Sequence, residues 1–171
     1  VGACVPCCGV SPAGDPSQPA QLQLTAGTIS PAGQISYVPV VDGGIVQLVH
    51  GGQGLLMVAM NVLANNVEAC NVTISGQLVQ PSGAEDVANQ VVRTLSPGSG
   101  GASISGDFGH VVTLPPARPG YGLWTLSGQV QDPSNHGTNA SVPFLMECDP
   151  QDTFCSCTEL QPPMPQCDGG P

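Results

Sequence analysis

The chain has 171 residues, of which 8% are charged. Twelve Asp and Glu face two basic residues, Arg93 and Arg118, for a formal net charge of −10. A nucleic-acid binder needs a basic stripe to displace counterions from phosphates, and two arginines cannot supply one. Gly (23) and Pro (18) make up about a quarter of the chain, which leaves too few long stretches free of both for a helical bundle. Hydrophobic residues at 40% and sparse charge argue against disorder by self-repulsion.

In chain order, residues 1–20 form a Pro/Gly/Cys-rich N-terminal arm, 21–148 a domain that holds nearly all the strand signals, and 149–171 a Pro/Cys-rich C-terminal arm. Neither arm has a period that builds a packed helix or strand, so each is floppy unless cross-linked or docked. Within the domain, Leu22 and Leu24 alternate with polar neighbours, and Ile35 to Val41 is β-branched and aromatic. Asp42-Gly43-Gly44 is a turn, followed by a strand over Ile45–Val49. Leu55 to Leu63 is the most apolar run and predicts one central strand; its Leu, Met and Ala content makes it the best helical competitor. Val72 to Val79 reads as a strand with Gly76 as a bulge. Val87–Leu95 and Phe108–Leu114 are further strands, and Pro97 to Gly101 is a flexible loop. Along Tyr121–Val130, Leu123, Thr125, Ser127 and Gln129 share one face, with Trp124, Leu126 and Val130 on the other. Asp132 to Gly137 turns a hairpin into a last strand, Ala140–Met146. Eight or so short strands at this spacing predict an all-β fold, an Ig-like two-sheet antiparallel β-sandwich carrying Cys-rich arms at both ends.

Eight cysteines in a chain this size point to an oxidising compartment, and hence to export. The one CxxC, Cys4 to Cys7, runs into Cys8, and no second CxxC follows to complete a zinc site. Cys4, Cys7 and Cys8 crowd one end; Cys155, Cys157 and Cys167 crowd the other; Cys70 and Cys148 lie in or beside apolar runs. One economical connectivity joins Cys70 to Cys148 and ties the ends with three bridges, among 105 pairings that eight cysteines allow. Val1-Gly2-Ala3-Cys4 also looks like a bacterial lipoprotein box, with Gly9 to Gln21 as its tether, so Cys4 is a candidate for either acylation or bridging. No run of 18 apolar residues is present, and membrane association would come only through such an anchor.

The segment from Val40 to Met60, with its Gly51-Gly52-Gln53-Gly54 turn before a long apolar run, resembles the Ig-like conserved-hypothetical lipoproteins of myxobacteria and their relatives. The stretch from Gln129 to Thr138 is similar to the last hairpin of Ig-like domains. The resemblance implies an extracytoplasmic sandwich and no characterised reaction. The Cys-rich arms, and the lack of the buried-Trp-and-disulfide pattern of antibody domains, are departures from it.

No nucleophile–base set stands out. His50, His110 and His136 fall near strand ends or turns, and there is no Gly-x-Ser-x-Gly elbow. A copper set of His50, Met57, Met60, His110 and Met146 lacks a nearby cysteine, and Met57 and Met60 have opposite strand parity; core filling is the better reading. Asp132 and Asn135 offer oxygens in one turn and are the candidate calcium ligands, although the same residues build such a turn with no ion. Asn71-Val72-Thr73 and Asn139-Ala140-Ser141 match the N-glycosylation triplet. No cofactor is expected. The function expected is that of an extracellular structural subunit that self-associates through its arms and edge strands with disulfide stapling. A lipid-anchored monomeric binding module, using the Pro97–Gly106 or Asp132–Gly137 loops, is the alternative.

Overall fold

The computed structural model describes residues 9–30, 32, 34–50, 56–83, 89–105, 108, 110–112 and 122–147. These form thirteen strands and no helix. In chain order they are β1 (Gln21–Ile29), β2 (Ile35–Pro39), β3 (Gly44–Gln47), β4 (Val49–His50), β5 (Leu56–Val58), β6 (Met60–Asn65), β7 (Val72–Val79), β8 (Asn89–Arg93), β9 (Ser96–Gly98), β10 (Gly101–Ser103), β11 (His110–Val112), β12 (Leu123–Gln131) and β13 (Gly137–Glu147). The first large sheet has the order β2-β1-β6-β10-β9, the second β3-β13-β12-β7-β8, and a small sheet β11-β5-β4. Two five-stranded sheets sharing one apolar core are the β-sandwich that strand spacing predicts.

Period-two patterning builds the core. In β7 the even positions, Val72 to Leu78, are buried and the odd ones half-exposed; β12 repeats this with Trp124, Leu126 and Val130 inside. The facing sheet contributes Leu24, Ala26, Met60, Val62 and Ala64. Trp124, at 1% exposure, is the bulkiest buried side chain, on the parity of β12 that it shares with Leu126 and Val130.

Five expectations are corrected. The pairing is not wholly antiparallel, because β3 runs parallel to β13 with Leu145 opposite Ile45. The Leu55–Leu63 run is not one strand: it breaks at Ala59, passing from the small sheet (β5) into the first sheet (β6). β3 and β4 break likewise at Leu48, so the small sheet is joined by chain to both large ones, as at the corner of a sandwich. Gly76 is not a bulge, since its register with Gly128 and Asn89 is continuous. It is glycine because the Phe108 ring lies where its Cβ would stand. Pro97 to Gly101 is no loose loop: β9 and β10 pair as a hairpin, and Ala102 pairs with Ala64.

The first arm is docked from Val10 onward. Ala13 and Val67 exchange backbone hydrogen bonds, Asn66 donates its side-chain amide to the Pro19 carbonyl, and Val10, Ala13 and Ala20 pack on the core. Residues 10–20 are thus no free tether. The first eight residues and the second arm lie outside the described residues.

Candidate interaction surface

The hairpin joining β12 to β13 holds the two candidate calcium ligands. Asp132 is 3% exposed, and its carboxylate accepts four hydrogen bonds. Oδ1 takes them from the Ser134 hydroxyl (2.6 Å), the Ser134 N–H (2.9 Å) and the His136 N–H (3.0 Å); Oδ2 takes one from the Glu68 N–H (3.2 Å). Burial pushes the Asp132 carboxyl up, but the Ser134 hydroxyl and the three N–H donors outweigh it and hold it below the ordinary range. Asn135 is exposed, with φ at 65°, and its N–H donates to the Asp132 carbonyl. The carboxylate therefore closes its own loop and ties it to the β6–β7 connection. Among the described residues no group of three or more His, Cys, Asp or Glu is placed to hold a metal ion.

The other expected sites are scattered. Cys70 is half-buried in the β6–β7 connection and is disulfide-bonded. Cys4, Cys7, Cys8, Cys148, Cys155, Cys157 and Cys167 lie outside the described residues, and so do the Cys70–Cys148 pairing and any lipid on Cys4. Of the copper set, Met60 and Met146 are buried in the apolar core, whereas Met57 is half-buried. His50 stands opposite Leu56 and His110 opposite Val58 in the small sheet. The Nε2 of His136 is buried with no hydrogen-bond partner. Asn71 and Asn139 are both exposed.

What the structure assembles instead is an apolar stripe. Leu123, Leu145 and Ile45 are direct neighbours across β12, β13 and β3, on the outer face of the second sheet, at 51%, 41% and 59% exposure. Ile45 also lines a cleft of about 260 Å³ shared with Val38 and Pro39 of β2, Ala26 of β1 and Val46 of β3. Val41 packs against Gly44, where a Cβ would meet its methyl at 2.4 Å. Val38 (46% exposed), across that cleft, and Val41 (62%), in the β2–β3 connection, are further exposed apolar side chains beside the stripe. Contiguous exposed apolar residues of this kind mark contact surfaces, whereas scattered single ones carry no such meaning.

The stripe ends at two outer strands. β2 pairs with β1, and β3 with β13, and neither pairs with a further strand among the described residues. Pro39, which has no N–H, terminates the β2 edge. The exposed Asp42 and the half-buried Glu147 border the stripe. Sequence reasoning missed this surface because its five residues come from three separate stretches of chain, 38–45, 123 and 145. One signal was legible: Leu123 is the apolar member of an otherwise polar parity with Thr125, Ser127 and Gln129.

Compared with known proteins, the chain matches no protein-family model and no curated protein.

Proposed function

We propose that the protein is an extracellular structural subunit, without enzymatic activity, that self-associates through its edge strands and Cys-rich arms and is stapled by disulfides. The observation that supports this reading is the stripe of Val38, Val41, Ile45, Leu123 and Leu145 beside β2 and β3, which are the outer strands of their sheets among the described residues. Magnitudes say what kind of contact it makes. Covering five half-exposed side chains returns roughly 4–6 kcal/mol. Association costs about as much or more in lost translational and rotational freedom. The stripe alone therefore supports weak, reversible contact. Persistent assembly needs added backbone pairing along an edge, or covalent links, and cysteines concentrated in terminal arms suit the second.

The lipid-anchored monomer remains the alternative on the strength of Val1-Gly2-Ala3-Cys4. It draws no support from residues 10–20, which pack on the domain. Intact mass separates the two, since a diacylglyceryl group on Cys4 adds a mass that no disulfide does.

The deciding test is sedimentation velocity of the full chain, with gels run with and without reductant. Expected are oligomers that persist without reductant and weaken with it. Under reducing conditions Ile45→Asp should raise the dissociation constant at least tenfold, because a charge replaces about 1.5 kcal/mol of apolar burial. A monomer at every concentration, giving one band under both gel conditions, would refute self-association.

A further inference from the structure

The same outer face carries a second, chemically different feature. Four residues along β12 from Leu123, about 13 Å away, lies a trough of about 340 Å³ crossing β7, β12 and β13. One wall is the register row Ser75–Gln129–Asn139, and the other is Gln77–Ser127–Ser141. Between them the buried Gly76 and Gly128 and the half-buried Ala140 form the floor. Each strand contributes one serine and one longer amide, so the amides rise around a floor kept shallow by the serines.

Every lining side chain that has a polar group bears an amide or a hydroxyl, and none is charged. In a chain of net charge −10 that is selective chemistry. An anionic ligand would meet a repulsive overall field and no local cation; a cationic one would find no carboxylate in the trough. Each amide offers two donors and an acceptor, and each hydroxyl one donor and two lone pairs. That set matches groups that donate and accept at adjacent positions, which is the pattern of vicinal hydroxyls. The Ser127 and Ser141 hydroxyls stand 2.9 Å apart, so a ligand hydroxyl can join a pair that is already aligned. The trough crosses three strands, about 10 Å, a length that suits a short chain segment better than an isolated monomer.

We propose that this trough binds a neutral glycan chain, its sugar rings lying along the backbone floor and its hydroxyls bonded to Gln77, Gln129, Asn139 and the three serines. With no aromatic ring among the lining residues, hydrogen bonds carry the affinity, and a dissociation constant on the order of 1 mM follows. Because the walls are outward-facing positions of paired strands, their replacement leaves the core intact.

The test uses the full chain, labelled with ¹⁵N, titrated with a panel of soluble neutral oligosaccharides (α- and β-glucan, mannan and chitin oligomers) and with acidic ones (oligogalacturonate, hyaluronate oligomers). Expected are shifts of the backbone amides of residues 75–77, 127–129 and 139–141 with at least one neutral oligomer and none with the acidic set. Gln129→Ala should weaken binding about fivefold, as loss of one neutral hydrogen bond implies, with an unchanged circular dichroism spectrum. Ile45→Asp should leave these shifts in place, which separates this site from the self-association surface. No shift with any neutral oligomer, equal shifts with acidic ones, or shifts centred elsewhere would overturn the proposal.

Discussion

Asp132 shows how one side chain reads differently alone and in place. Asp-x-Ser-Asn in a turn offers oxygens to a cation or to its own backbone, and sequence cannot choose between them. The choice is made by Glu68, 64 residues away, whose N–H reaches Oδ2 and buries the carboxylate. Asp132→Ala should cost about 1–3 kcal/mol in urea unfolding, because it removes the acceptor of the Glu68, Ser134 and His136 N–H groups and unties the hairpin from the β6–β7 connection. A pH effect follows with a definite sign. The folded carboxyl lies below its ordinary value, so its contribution is complete above about pH 4 and fades as the pH falls further. Wild type should therefore lose more stability than Asp132→Asn between about pH 4 and pH 2.5; equal losses would remove the carboxylate from that role. Asp15 is a second case. It is exposed, and the Ser17 hydroxyl, donating at 2.7 Å, holds its carboxyl below the ordinary range.

At the scale of elements, the paired glycines at the centre of the second sheet explain how the layers approach. Gly76 and Gly128 are register neighbours on β7 and β12. A Cβ on Gly76 would fall 2.2 Å from the Phe108 ring, and one on Gly128 2.5 Å from a Leu24 methyl. Both intruders come from outside the second sheet, so two missing side chains make the sockets for two present ones. Gly76→Ala should destabilise by about 1–3 kcal/mol through overpacking. Adding Phe108→Leu should recover part of that loss, whereas simple additivity in the double mutant would show that the two positions do not share one space. Alternation made β7 and β12 legible beforehand; Gly76 was misread as a bulge because sequence shows an absent side chain but not the ring that fills its place. The break at Ala59 was hidden for a related reason. Ala59 is fully buried within an unbroken apolar run, and only the departure of β5 toward β4 and β11 marks the corner.

For the whole molecule, charge sets the terms of any encounter. Two copies at net charge −10 repel, and Asp42 and Glu147 sit at the margins of the stripe through which they would meet. Apolar contact is insensitive to moderate salt, while the repulsion is screened as the Debye length falls from about 30 Å at 0.01 M to about 10 Å at 0.1 M. Self-association should therefore tighten as sodium chloride rises from low to moderate concentration, measured by sedimentation under reducing conditions. Weakening with salt would mean that ion pairs hold the copies together and would set the stripe aside. The glycan trough, uncharged on every wall, should be indifferent to the same change.

Composition and period-two alternation sufficed for an all-β chain with a sandwich core, for the inward face of β12 with Trp124, and for the turn at Asp132 to Gly137, because these depend on interactions between residues close in sequence. The parallel β3–β13 pair, the corner at Ala59, the sockets at Gly76 and Gly128, the stripe and the trough were decided by tertiary structure. Each depends on which distant strands become neighbours and in what register, and the information for that is spread over segments up to about a hundred residues apart, where no local pattern records it.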